Sequence, residues 1–291
     1  MDSLLPAARI IDGTLGAGGH TVALLEAGAG AVLGLDRDQM ALEIARERLQ
    51  PFADRVHTVH GSYLQMEAAA QAIGWDAVDG ILLDLGLSSM QLDRPERGFA
   101  FMHDGPLDMR FDRSTFPTAA DIVNQWDEAE LADIFYKYGE EPKGRKLAQA
   151  IIRARPLMTT QALADVIQQA APRRHSDKIH PATRVFQALR IAVNDELSAV
   201  EKVIPLALDL LRPGGHLAII TFHSLEDRIV KQAFKLASTD CICPPKVPIC
   251  VCGHKASVRL VNRKPISPTV AEIAQNPRSR SAKLRVVEKL G

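Results

Sequence analysis

The run Asp12-Gly13-Thr14-Leu15-Gly16-Ala17-Gly18-Gly19-His20 limits the possible folds of this chain more than any other feature. It follows a β-type stretch, Ala8 to Asp12, and precedes the start of a helical pattern, Thr21 to Ala27. Glycines adopt positive φ and let a ligand approach the backbone closely. A glycine loop between strand and helix belongs at the carboxyl edge of an open α/β sheet, where such sheets bind ligands. A dinucleotide fingerprint starting at Gly16 and Gly18 would need a third glycine at position 21, which is Thr21. The pyrophosphate pattern is therefore incomplete, and this counts against a nicotinamide enzyme. The looser Asp-x-x-x-Gly-x-Gly loop suits a nucleoside cofactor without phosphate, as in S-adenosylmethionine enzymes.

The surrounding pattern agrees with an α/β class. Strands are predicted at Ala31 to Asp36, Arg55 to Gly61 and Val78 to Leu83, with an amphipathic helix at Gln39 to Leu49. Such alternation implies a parallel sheet covered by helices on both faces. From about Pro106 to Glu196 the periodicity is helical, at Ala119 to Tyr138, Gly144 to Ala154, Thr159 to Gln169 and Pro181 to Leu197. Thr159 and Thr160 are the expected caps of the third of these. Strand character returns at Gly215 to Phe222, after the turn signal Arg212-Pro213-Gly214-Gly215, and again at Ser257 to Val261 and Leu284 to Val287. The expected organisation is a discontinuous sheet domain, 1–105 and 197–291, with a helical domain at 106–196 that recognises substrate.

Three residues stand where the cofactor would lie. Asp36 ends the second strand, twenty residues after Gly16, where a carboxylate accepts hydrogen bonds from both ribose hydroxyls. The plainer reading makes it a helix N-cap, in competition with Asp38. Tyr63, just past the third strand, is placed to touch the adenine, or is an ordinary core aromatic. Asp84, followed by Leu85-Gly86-Leu87-Ser88-Ser89, closes the fourth strand. A polar acceptor there can orient an amine whose lone pair is delocalised into a base, or can merely cap the strand end.

Charge and hydropathy exclude other classes. No uncharged apolar run approaches the roughly 20 residues of a membrane span. Met1 to Arg9 lack a basic start followed by an apolar run, so the cytoplasm is expected. Net charge is zero, yet residues 1–100 carry a net −7 and residues 253–291 a net +7. A basic tail of this density can neutralise phosphates or remain a solvated surface.

Several further groups are candidates. His223 follows the fifth predicted strand at the same edge as Asp84 and could orient a base, take a proton, or make a structural hydrogen bond. Asp108 and Asn194 are candidate contacts to a base edge, and Arg184 a phosphate contact. Cys241, Cys243, Cys250 and Cys252 form C-x-C-x₆-C-x-C, with Pro244, Pro245 and Pro248 stiffening the loop. Structural zinc sites prefer C-x₂₋₄-C. Free thiols are the first expectation, with no metal assigned, and a metal site or disulfides stay open.

Beyond Asp12–His20, the runs Leu82–Ser89 with Gln91-Leu92-Asp93, Arg97-Gly98-Phe99, Asp104–Arg110, His180–Arg184 with Phe186-Gln187-Ala188, Phe222–Arg228, and Asn276-Pro277-Arg278 with Arg280-Ser281-Ala282 stand in register along nearly the whole chain. Together they resemble the ribosomal RNA small subunit methyltransferase H family. The resemblance implies a Rossmann-type class I S-adenosylmethionine-dependent methyltransferase domain with an inserted helical domain. It implies methylation of N4 of a cytidine in 16S rRNA near the decoding centre, on free rRNA or the small ribosomal subunit. It further implies cofactor contacts from Gly18, Gly19, His20, Asp36, Tyr63, Asp84 and Gln91. His20, opening a helix, is expected to act through its backbone. The catalytic set left open is Asp84, His223, Asp108 and Asn194.

Two features depart from the family. Its usual His-x-Pro-Val-Leu-Leu segment does not precede the glycine loop, and Pro142 takes a basic position after Glu140-Glu141. A methyltransferase for another target, such as a DNA base or a protein, and a non-catalytic rRNA-binding assembly factor are the alternatives. The oligomeric state is left open, a homodimer included.

Overall fold

The computed structural model describes residues 9–172, 180–244 and 249–291. The first expected strand residue, Ala8, lies outside them. Two compact units result: residues up to Gly86 together with Leu197–Gly291, and Leu87–Glu196.

The first unit is built on β1 (Arg9–Asp12), β2 (Ala31–Asp36), β3 (Val56–His60), β4 (Val78–Asp84), β5 (Leu211–Thr221), β6 (Val258–Leu260) and β7 (Lys283–Lys289), in the order β3-β2-β1-β4-β5-β7-β6. The first five strands are parallel, and β7 runs antiparallel between β5 and β6. Side chains of a strand alternate between faces, and here each face has its own core. Ile11, Leu33, Ile81, Leu83, Leu217 and Ile219 face one cluster. It is completed by α3 (Met66–Ala72), α10 (Glu196–Leu210) and α11 (Ser224–Ala237), through residues such as Met66, Val203 and Phe234. The neighbouring Ile10, Val32, Leu82 and Ala218 face the other, filled by Leu24 and Leu25 of α1 (Gly19–Glu26) and Leu42 and Leu49 of α2 (Gln39–Leu49). Near-continuous apolar strands are what a sheet covered on both faces requires.

The turn signal at Arg212–Gly215 is a bulge within β5. Val78 pairs with Leu211 and Gly80 with His216, so the intervening residues loop out, with Gly214 at φ 82°. A bulge of this kind re-aims the strand without ending it.

The second unit is helical: α4 (Ser89–Asp93), α5 (Ala119–Gln125), α6 (Glu128–Lys137), α7 (Gly144–Ala154), α8 (Thr160–Ala170) and α9 (Pro181–Asn194). It takes in residues 87–105, which the sequence reading left with the sheet domain, because Leu87, Leu92, Phe99 and Phe101 pack with Leu107, Phe135 and Leu189 in its core. The single helix expected over Ala119 to Tyr138 is two. Trp126 turns extended, and Asp127 opens α6 with a capping box to Glu130. Thr159 caps α8, accepting from the Ala162 N–H. α9 stops at Asn194 because Asp195 turns left-handed, at φ 51°. Despite Pro142, α7 starts at Gly144, with Glu141 Oε1 accepting the Lys143 N–H.

Candidate active site

The site is assembled where β1, β2 and β4 end side by side. Asp12, fully buried, orders the glycine loop: Oδ2 accepts Thr21 Oγ1 at 2.8 Å and Oδ1 the Thr14 N–H at 3.2 Å. Burial outweighs these bonds and pushes its pKa up to about 6. Gly18 sits at φ 78° and caps α1, a conformation that a side chain would strain. At Gly13 a Cβ would lie 2.5 Å from Leu83 Cδ2 and 3.1 Å from the Cβ of Tyr63. The loop is thus pressed against β4 and the residue after β3.

Asp36 is held by the same loop. Oδ2 accepts the Gly16 N–H at 2.7 Å and Oδ1 the Asp38 N–H at 2.8 Å. Asp38 caps α2, accepting from Met40, so the helix cap falls to Asp38. Burial raises the Asp36 pKa against the pull of both amides. Each carboxylate oxygen has two acceptor positions, so a second donor can be taken at both. Tyr63 opens a 3₁₀ turn, Tyr63–Gln65, and is half-buried against the sheet core.

Asp84 ends β4. Its backbone N–H donates to Thr14 Oγ1 at 2.6 Å, a contact that sequence reasoning missed; the Thr14 hydroxyl beside the glycines was the available signal. Asp84 Oδ2 lies 3.1 Å from His20 Nε2. This hydrogen bond is the chief cause of a raised His20 pKa. The His20 side chain thus has a partner of its own beside the backbone role expected of it, because the first turn of α1 aims its imidazole at the end of β4. Asp84 Oδ1 is buried and has no partner. A buried carboxylate oxygen left unpaired is costly, and among the described residues of this unit it is the buried carboxylate oxygen that awaits a donor.

His223 lies past the end of β5, whose Ile220 is paired with Asp84. Its Nδ1 accepts the Glu226 N–H at 3.4 Å, and Glu226 Oε2 accepts the Phe222 and His223 N–H groups, a capping box for α11. His223 Nε2 is buried 3.0 Å from Glu226 Oε1 but off hydrogen-bond geometry. The imidazole thus has a structural task, with its outer nitrogen still unsatisfied.

The remaining candidates lie in the second unit and are occupied there. Asn194 is buried; Oδ1 accepts the Phe111 N–H at 2.8 Å, while Nδ2 donates to Met109 O at 2.8 Å and Arg190 O at 2.9 Å. The amide fastens residues 109–111 to the end of α9, with both Nδ2 hydrogens engaged there. Asp108 is gripped by Arg110, at 2.7 Å from Nε and 2.8 Å from Nη2. Burial favours its neutral form, but the Arg110 bonds win and its pKa is lowered. Gln91 Oε1 accepts the Ser88 N–H and its own N–H meets Ser88 Oγ, the capping box of α4. Arg184 lies 3.5 Å from Glu141.

The seven-stranded order with an antiparallel β7, and a glycine loop and two strand-end carboxylates at the parallel edge, is the framework of class I S-adenosylmethionine-dependent methyltransferases, and the chain is one of them. Within that class it belongs to the MraW methylase family, which it matches over residues 4–290. It is 53% identical over 286 residues to the ribosomal RNA small subunit methyltransferase H of Citrifermentans bemidjiense, covering 96% of this chain and 92% of that one. The protein of the same name from Dehalococcoides mccartyi is 52% identical over 289 residues, covering 99% and 82%. That from Thermomicrobium roseum is 50% identical over 287 residues, covering 97% and 88%.

Proposed function

We propose that this chain transfers the methyl group of S-adenosylmethionine to N4 of a cytidine in 16S rRNA, near the decoding centre of the small ribosomal subunit, in the cytoplasm. The observation that carries the reading is the Asp84 carboxylate, with Oδ2 held by His20 and Oδ1 buried and unpaired. The family and the names of its relatives support rRNA as the substrate class.

The residues fit the cofactor. A Cβ at Gly13 would meet Leu83, Gly18 holds a positive φ, and Asp36 keeps acceptor positions for two hydroxyls. Tyr63 stands beside Gly13 to cover the adenine. S-adenosylmethionine, when bound, supplies an electrophilic methyl group. Asp84 Oδ1 accepts a hydrogen bond from the exocyclic amine of a base drawn out of its stack. That bond orients the nitrogen lone pair toward the methyl, and the carboxylate takes the proton the amine sheds. His20 holds Asp84 in place. His223 is a second group at the same edge, able to contact the base through Nε2. The exposed Arg278 and Arg280 provide phosphate contacts.

Small subunits from cells lacking the modification, incubated with labelled cofactor and this protein, test the reading. Mass mapping should place one methyl on N4 of one cytidine in 16S rRNA. Label on another molecule, or cofactor binding with no transfer, would overturn it.

A further inference from the structure

The segment between α11 and β6 holds a cluster that methyl transfer does not use. Cys241, Cys243, Cys250 and Cys252 bring their four Sγ atoms within 4.8 Å of one another. Cys241 and Cys250 are 3.4 Å apart, Cys250 and Cys252 3.6 Å, and Cys252 and Cys241 3.9 Å. Four sulfurs bound at about 2.3 Å to a tetrahedral ion stand about 3.8 Å from each other. The observed separations bracket that value, and all four residues are free thiols.

We infer that Cys241, Cys243, Cys250 and Cys252 bind one zinc ion as a tetrathiolate, which closes the segment on itself. Apolar burial does not draw these sulfurs together. Every described residue from 241 to 252 is exposed except the half-buried Cys243, and Ile242, Ile249 and Val251 are 51%, 74% and 81% exposed. Two crossed amide contacts order the cluster instead: the Ile242 N–H points at Cys252 Sγ at 3.5 Å, and the Val251 N–H at Cys243 Sγ at 3.4 Å. Each C-x-C pair thus steadies a sulfur of the other pair. Amide donors to the sulfurs are the outer support that thiolate ligands use. Four thiolates this close repel unless a cation lies among them, and soft sulfur ligands select zinc over magnesium or calcium.

The C-x-C spacing argued against one ion in the sequence. The fold answers that objection, since the two pairs face each other and each supplies two corners. His254 is not a fifth ligand; its Nε2 is 3.0 Å from Leu236 O. Pro244 lies in this segment, and Pro245 and Pro248 fall outside the described residues.

The test uses the full chain, expressed with zinc in the medium. Elemental analysis should find about one zinc per wild-type chain, and at least about tenfold less in Cys241→Ser/Cys250→Ser. His254→Ala should keep the wild-type content. Cobalt(II) alone, added to the stripped wild-type chain, should give the absorption bands of a tetrahedral tetrathiolate; this stands even where the double variant fails to fold. Calorimetric S-adenosylmethionine binding by the double variant reports whether it has folded. Stripping the metal should speed trypsin cleavage after Lys255, which is exposed but lies directly behind the cluster. A wild-type chain that takes up neither zinc nor cobalt, disulfides within the cluster in chain alkylated at lysis, iron in place of zinc, or full zinc content in the double serine variant would each overturn the inference.

Discussion

Replacing Asp84 by Asn separates binding from chemistry. The substitution keeps the shape of the side chain and one acceptor oxygen but removes the charge, and it leaves the backbone bond from residue 84 to Thr14 Oγ1 in place. Its effect on stability should be small. The His20 pair is part-exposed, with side chains 37% and 29% accessible, so losing it costs about 0.2–1 kcal/mol. The atom at the buried Oδ1 position stays polar and unpartnered in the amide, so no relief is gained there beyond removal of the charge. The net loss of stability should be no more than about 1 kcal/mol. Cofactor affinity should change by less than about threefold, since Asp36 and the glycine loop are untouched. The transfer step should fall by about 10²-fold or more, the usual contribution of a positioned acid–base group, equivalent to about 2.7 kcal/mol in the barrier. Single-turnover transfer at saturating cofactor and RNA is the assay, because saturation removes binding from the measured rate. A wild-type single-turnover rate in Asp84→Asn would refute the catalytic assignment and leave His223 Nε2 as the remaining unsatisfied group at that edge.

Asp36→Ala should weaken S-adenosylmethionine binding by about 100-fold or more, or roughly 3 kcal/mol, through the ribose bonds; an unchanged dissociation constant by calorimetry would remove Asp36 from the site. Asp12 has its pKa raised from 3.8 to about 6 by burial. Its contribution to stability is therefore complete below about pH 4 and is lost as pH rises through 6, so the unfolding free energy of the wild type relative to Asp12→Asn should fall by roughly 3 kcal/mol between pH 4 and 7. A flat difference across that window would show that the carboxyl stays charged. Exchanging Arg278 and Arg280 for Gln should lower the slope of log affinity against log salt for rRNA by about two. An identical slope would mean that both arginines are merely solvated.

The sheet was legible because its strands obey two rules at once. Ala31 to Asp36 and Val78 to Leu83 are apolar on both faces and bounded by turn residues, so the class was legible. The helical unit was harder. The apolar period runs unbroken across Trp126, and only the capping pair Asp127 and Glu130 marks the break. α10 was missed because the left-handed Asp195 ends α9 with no glycine or proline to announce it. The domain boundary fell at 87, ahead of the expected 106, because Leu87, Leu92 and Phe99 sit in a loop-rich stretch whose burial no periodicity reports.

Candidate-site residues divide along the same physical line. Asp36 and Asp84 stand out as candidates because a strand-end carboxylate on a parallel sheet has few other tasks. Asp108 and Asn194 are open to two readings, and in the structure both have internal partners. A polar residue amid apolar ones signals either a ligand contact or an internally satisfied network, and sequence does not separate the two. Arg110 beside Asp108 was the available hint. Asn194 gave none, since its partners at Met109 and Phe111 are more than eighty residues away. The same reasoning extends to charge. The +7 of the tail suggested nine available cations, yet Lys283 and Arg285 both close on Asp227, and Arg259 on Glu288. Those three are engaged in holding β6 and β7 together and to α11. The salt dependence of RNA binding should therefore be well below what nine neutralised phosphates would give.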